Sequence, residues 1–132
     1  LGSPPMNKLE FDGTVEQGTG AQVLGGTAFE VPVMREGAQG RIVLGVRPEH
    51  IHLEADAPLR AKVVATEYLG TTQIVTLLTD HGEVKARVPS HQRVTEGETT
   101  GLRFDARMIS LFDADTSRAL RSAGNEGVLF HG

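Results

Sequence analysis

The chain has 132 residues, room for one domain or two very small ones, and carries a net charge of −4 from thirteen basic and seventeen acidic side chains. It contains no cysteine, which excludes a disulfide framework, a thiol nucleophile and a cysteine-based zinc site, and fits a reducing compartment. The acidic balance, with five Phe, one Tyr and no Trp, argues against nucleic acid as a partner, because such binding needs a basic face and stacking aromatics.

Residues 1–8, LGSPPMNK, read as a connector, since Pro4-Pro5 forces extended backbone and removes two donors. Leu1 in place of Met is expected to mark a fragment of a longer chain. From Leu9 the pattern changes to short β-type runs between Gly and Asp turns. Residues 9–15 alternate loosely, and residues 22–24 end at Gly25-Gly26, a hairpin turn. Residues 27–33 resume with Phe29, Val31 and Val33 on one face. Residues 35–40 are polar and glycine-bearing, hence a loop. Residues 41–47 form an apolar run suited to a buried strand, and after a break the alternation returns at Ile51 and Leu53.

Residues 61–68 place Val63 and Ala65 on one face, with Val64 and Thr66 on the other. Residues 72–79 are the strongest strand, β-branched and apolar on both faces. Residues 80–83 turn the chain into 84–88, completing a hairpin. Residues 102–104 and 108–112 supply two more strands, 113–116 a turn, and 117–122 a helical turn. Residues 121–132 read as a tail. Short strands at roughly 8–12-residue spacing without βαβ alternation predict an all-β fold, an OB-like barrel of short antiparallel strands with little helix, over residues 9–120.

The break at Arg47-Pro48-Glu49-His50 has an echo. Gly45-Val46-Arg47-Pro48-Glu49 is similar to Gly101-Leu102-Arg103-Phe104-Asp105, and Ile51-His52-Leu53 and Ile109-Ser110-Leu111 follow. Glu36-Gly37 and Glu96-Gly97 precede the two copies as turns. A bend repeated at matching places is more economically a corner of the fold than an active site.

Each chemical reading of the bend meets a bland one. His50-x-His52 puts two imidazoles on one strand face, about 7 Å apart, as metal ligands; no further ligand with recognised spacing accompanies them, so no metal site is assigned. Glu49 beside His50 makes an acid/base pair, but no nucleophile or second carboxylate joins it, so no catalytic residue is assigned. Glycines 18, 20, 25 and 26 precede no helix and form no phosphate cradle. Arg47 and Glu49 have two readings: a salt bridge across the bend, or contact with a second copy of the domain.

The chain resembles a known family in four segments. LGSPPMN (residues 1–7) is similar to the end of the ATPase domain of sugar-type ABC importers. GVRPEHIHL (45–53), EYLGTTQIV (67–75) and GLRFDARMISLFDADTSRAL (101–120) are similar to successive signatures of the C-terminal regulatory domain in the maltose, trehalose and glycerol-3-phosphate importer ATPases. The resemblance implies a transport-associated OB-like (TOBE) domain, non-catalytic itself, appended to an ATP-hydrolysing domain that uses ATP and magnesium. It implies a homodimer at the cytoplasmic face of the membrane, attached to transporter membrane subunits through the ATPase domain, on which a cytoplasmic regulatory protein docks in some members. Arg47, Pro48, Glu49, His50 and Gly70 are the candidate interface residues. Walker motifs are absent, Ser3-Pro4-Pro5-Met6-Asn7 does not match the Ser-x-Arg-Asn motif of molybdate-type relatives, and no family motif follows Arg121. The competing expectation is a domain that senses a small ligand, a sugar or an oxyanion.

Overall fold

The alternating runs become ten strands in a computed structural model that describes residues 4–126. They are β1 (Asn7–Val15), β2 (Ala21–Leu24), β3 (Thr27–Glu30), β4 (Ala38–Val46), β5 (Ile51–Leu53), β6 (Leu59–Leu69), β7 (Thr72–Thr79), β8 (Gly82–Pro89), β9 (Thr99–Phe104) and β10 (Ser110–Asp113). Two 3-10 turns, Pro48–His50 and Ala106–Met108, interrupt them. The expected all-β architecture is the observed one.

All pairings are antiparallel, in two five-stranded sheets ordered β10-β4-β1-β2-β3 and β5-β9-β6-β7-β8. The orders are the same once each strand of the first half is matched to its counterpart in the second. Each half makes four strands of its own sheet, and then a 3-10 turn carries its fifth strand into the other sheet. Thus β10 pairs with β4, Gly45 facing Ser110, while β5 pairs with β9, Arg103 facing His52. The chain is a duplication with exchanged fifth strands.

Why the sheets pack is visible in the strand period: β1 buries Asn7, Leu9 and Phe11, and β6 buries Leu59, Ala61 and Val63, while the residues between them face water. Leu44, Val75, Leu77 and Val84 are fully enclosed between the sheets, each contributing about 1.5–3 kcal/mol relative to exposure. An aromatic row crosses the core: Phe11 meets Phe29 edge-on at 5.2 Å, and Phe29 stacks on Phe104 at 6.0 Å.

Several expectations are corrected. Strand β1 starts at Asn7 and takes in Lys8, because both pair with β4. Residues 38–40, read as loop, belong to β4: Gly40 adopts φ +115° and pairs with Gly13. Strand β3 stops at Glu30, and Val31 is buried whereas Val33 is exposed, so the face expected to hold both does not continue. A bulge between Val63 and Ala65 in β6 breaks the expected alternation and turns Ala65 outward. Met108 sits in a 3-10 turn, not a strand. Residues 117–122 form no helical turn: Ser117 has left-handed backbone at φ +61°, and Ala119 bridges to Phe112 while Ser122 bridges to Met34. Of the expected tail, residues 127–132 lie outside the described residues.

Candidate functional site

The bend is built where β4 leaves its sheet. Arg47 is extended at φ −78°, ψ 152°, and Pro48 takes the first position of the 3-10 turn, where its fixed φ fits and no donor is lost. The His50 amide donates to the Arg47 carbonyl at 3.0 Å, closing the turn. Pro48 is buried, Arg47 and Glu49 are exposed, and His50 is partly covered. No ion pair joins Arg47 to Glu49 among the described residues, so the salt-bridge reading of that pair is set aside.

The second turn lies against the first. The Asp105 amide donates to the His50 carbonyl at 2.9 Å, and the Asp105 carboxylate serves both imidazoles: His52 Nε2 lies 2.9 Å from one oxygen and His50 Nδ1 lies 3.3 Å from the other. Arg103 approaches the same carboxylate at 3.4 Å while bonding Glu54 at 2.8 Å. Burial raises the Asp105 pKa, but hydrogen bonding and charge from His52, then His50 and Arg103, outweigh it and hold the group below its ordinary value. The two histidines therefore share a carboxylate that joins the halves. Among the described residues no cluster of His, Asp and Glu has the geometry to hold a metal ion.

Beside this seam is a cavity of about 250 Å³ lined by Arg47, His50, Arg107, Ser110, Ser122 and Asn125, with two methionines. No carboxylate lines it, and neither Arg47 nor Arg107 makes an ion pair among the described residues. Its chemistry suits a small anion or the carboxylate of a partner.

Gly70 is elsewhere. It forms the β6–β7 turn at φ +74°, with open space where a Cβ would stand. Tyr68 and Leu69 beside it are exposed, an apolar tip on a projecting hairpin. The bend packs against β8, whose last residue, Pro89, pairs with Thr72 just past the Gly70 turn; residues 47–50 form one continuous turn and Gly70 belongs to another.

Two residues that sequence reasoning treated as bland organise the structure. Asn7, assigned to a connector, donates from Nδ2 to the carbonyls of Val46 at 3.1 Å and Lys85 at 2.9 Å, and accepts from the Lys85 amide at 2.8 Å. Glu36, assigned to a turn, accepts from Arg118 at 2.7 and 3.0 Å and from the Arg121 amide at 2.8 Å. The Arg118 hydrogen bond is the main cause that lowers the Glu36 pKa to about 2, burial opposing it and Arg121 adding to it. The signal for Asn7 was an amide two positions ahead of an apolar alternation, in phase with its buried face. Nothing local marked Glu36, whose partners come more than eighty residues later.

With the geometry in place, the comparisons fit it. The model of the TOBE domain matches residues 44–112, spanning the first bend through β10, and the model of the MalK OB fold domain matches residues 2–51. The chain is 34% identical over 91% of its length to a glycerol-3-phosphate import ATP-binding protein, UgpC, of Cereibacter sphaeroides, covering 33% of that protein. It is 32% identical over 91% of its length to the trehalose/maltose import ATP-binding protein MalK of Thermococcus litoralis, covering 36% of it. It is 29% identical over 92% of its length to the oligosaccharides import ATP-binding protein MsmX of Bacillus subtilis, again covering 36%. The chain thus spans about a third of the length of these curated relatives. Among solved structures, the cytoplasmic molybdate-binding protein ModG superposes with a TM-score of 0.62 at 17% identity, over 84% of this chain and 96% of that one. That likeness is one of fold.

Proposed function

The chain belongs to the TOBE domain family, in the form that carries the MalK OB fold, and from that membership we propose that it is the regulatory and dimerisation domain of the ATP-hydrolysing subunit of an ABC importer for sugars or glycerol-3-phosphate. The observation that carries the reading is the pair of family matches, which together run from residue 2 to residue 112 in a chain aligned over nine-tenths of its length with import ATP-binding proteins. ATP and magnesium belong to the ATPase domain of such a subunit, since this sequence offers no glycine-rich cradle and lysine for a triphosphate. The domain is non-catalytic and works from the cytoplasmic face; among the described residues no helix is long and apolar enough to cross a membrane.

The physical role follows from tethering. A lasting contact between two such domains makes the meeting of their attached ATPases intramolecular, at an effective concentration of order mM for short flexible links. Arg47, Glu49 and His50 present the bend for that contact, and the exposed tip of the Gly70 hairpin is the candidate surface for a regulator. Sedimentation of the 132-residue chain tests this reading: the expected result is concentration-dependent dimerisation that Arg47→Ala weakens. A strict monomer up to roughly millimolar concentration, with the Arg47→Ala variant indistinguishable, overturns it.

A second reading rests on the cavity beside the bend. Two guanidiniums without an ion pair and a lining without a carboxylate, among the described residues, suit an oxyanion, and the fold neighbour ModG was crystallised with molybdate. Calorimetric titration with phosphate, sulfate, molybdate and maltose separates the readings, since a binding isotherm lost in Arg107→Ala belongs to ligand sensing.

A further inference from the structure

The duplication makes one gap conspicuous. In the first half, β1 runs two residues further than β6 does in the second. Leu9 faces Leu44 and Leu59 faces Leu102, which makes these pairs equivalent. Below Leu9, Lys8 and Asn7 continue the pairing with Gly45 and Val46, and the Asn7 carboxamide then reaches across to the outer edge of β8. An extended segment of the chain thus lies between the end of β4 and the edge of β8.

In the second half no strand of the described residues takes that place. The residue before Leu59 is Pro58, which cannot donate to a ladder. Ala57, in the position equivalent to Asn7, turns back and donates to the Glu54 carbonyl at 3.0 Å. Residues 103 and 104 of β9 therefore have β5 on one side and, among the described residues, no strand on the other. Facing them is β3, the last strand of its sheet, paired only with β2.

Between these two edges runs a cleft of about 460 Å³. Consecutive residues 28–30 form one wall and 102–104 the other, so the cleft follows the strands edge-on. Its lining is mostly apolar, Phe29, Phe104 and Ile109 included, with Glu30 and Arg103 as its charged groups.

We propose that this cleft binds an extended peptide segment of a partner protein, added as a strand between β3 and the end of β9 and presenting a carboxamide side chain as Asn7 does in the other half. The occupant's shape is dictated by two backbone edges that, among the described residues, have no strand partner on the cleft side, separated by an apolar floor, which is the arrangement that strand addition uses. Its chemistry is dictated by the duplication, in which the equivalent gap holds Met6, Asn7 and Lys8.

The probe is therefore a capped peptide with the sequence of residues 5–10, PMNKLE, titrated into the ¹⁵N-labelled 132-residue chain and followed by amide chemical shifts. The expected result is saturable movement of signals from residues 28–30, 102–104, Ala106 and Ile109. A peptide with alanine for the asparagine should bind about fivefold more weakly, the loss for one net hydrogen bond. Ala106→Trp fills the cleft from a half-exposed position, and Ala28→Arg obstructs it from an exposed one; either should abolish the movement while other signals stay in place. Absence of movement at roughly millimolar peptide, movement centred elsewhere, or unchanged binding in both variants overturns the proposal. So does a response to cyclohexanol with none to peptide, which would make the cleft a small-molecule pocket.

Discussion

At the β1–β8 junction the carboxamide of Asn7 makes two hydrogen bonds to the Lys85 backbone, whereas the equivalent residue at the β3–β6 junction is Ala57, folded back on Glu54. The halves share strand order and register, yet one outer strand is sealed to its neighbour and the other borders a cleft. A difference of this kind, though not always in the same direction, appears at two other pairs. Arg47 corresponds to Asp105 at the start of the 3-10 turns, and the first is exposed and unpaired while the second gathers two histidines and an arginine. Glu36 clasps two arginines, and Glu96, its echo in sequence rather than in strand register, makes no ion pair among the described residues. A duplicated fold lets one member of a matched pair hold the structure together while the other is left free for a partner, and which half plays which part differs from pair to pair.

The largest expected effect separates the two glycines of the echo. A Cβ on Gly101 would meet the Ala57 carbonyl oxygen at 2.5 Å and the Glu54 carbonyl oxygen closer still, both backbone atoms that cannot swing aside. Gly101→Ala should cost about 1–3 kcal/mol, at the upper end of that range for a rigid site. A Cβ on Gly45 would meet Met6 Sδ at 2.6 Å and the Phe112 ring at 3.0 Å. Both are side chains, and methionine adapts, so Gly45→Ala should cost under about 1 kcal/mol. Urea midpoints measure both, and equal losses would mean that the two corners are equally rigid.

The next effect tests the seal. Asn7→Ala removes three hydrogen bonds and leaves the Lys85 amide and carbonyl partly buried without partners, an expected loss of about 1–3 kcal/mol. Ala57→Asn places a larger, polar side chain on a residue that is 8% exposed and packed against Gly101, so it should destabilise by about 1–3 kcal/mol. A stabilisation by Ala57→Asn comparable to the Asn7→Ala loss would show that the second junction can be closed from within the chain. The cleft would then be a lapse of sequence, not of backbone.

This pair also marks the boundary of what the sequence made legible. The all-β class, the Asp80 hairpin and the two bends could be read, because each rests on a period of two or on a turn residue with its own local mechanism. Even the duplication left a trace, although the Gly-x-Arg match aligns Arg47 with Arg103 while the structure aligns it with Asp105. The exchange of fifth strands, the Val64 bulge and the Asn7 seal were not legible: each depends on which strands meet across the core, and pairing partners have no local signature. The candidate residues of the bend were found because a proline stops a strand. Asp105, which organises that bend, was seen only as part of the echo.

A smaller, pH-dependent effect distinguishes the two Glu-Gly turns. The Glu36 pKa falls to about 2 from its ordinary 4.5, chiefly through the Arg118 hydrogen bond. Because the folded-state value is the depressed one, the clasp contributes fully above about 4.5 and its contribution is lost as pH falls toward about 2. The urea midpoint difference between the parent chain and Glu36→Gln should therefore shrink through that window, while Glu96→Gln, which removes no ion pair among the described residues, should leave the midpoint near the parent's at neutral pH. A gap between parent and Glu36→Gln that persists unchanged at the acid end would place the cost in geometry and not in charge.

The smallest effect on stability is expected at Arg47, and that is what makes it informative. Its side chain is exposed and free of ion pairs among the described residues, so Arg47→Ala should leave the urea midpoint of the chain within the equivalent of about 0.5 kcal/mol. Asp105→Asn, at the matched position, should destabilise by roughly 0.5–1.5 kcal/mol, discounted because the carboxylate is over a third exposed. Residues that hold a fold together show their loss in the monomer; residues kept for a partner show it only in association. If Arg47→Ala unfolds as the parent does and yet sediments more weakly as a dimer, the bend is doing intermolecular work. If it lowers the midpoint as much as Asp105→Asn does, Arg47 belongs to the seam between the halves, and the dimer contact must be sought on another surface, with the Gly70 hairpin next in line.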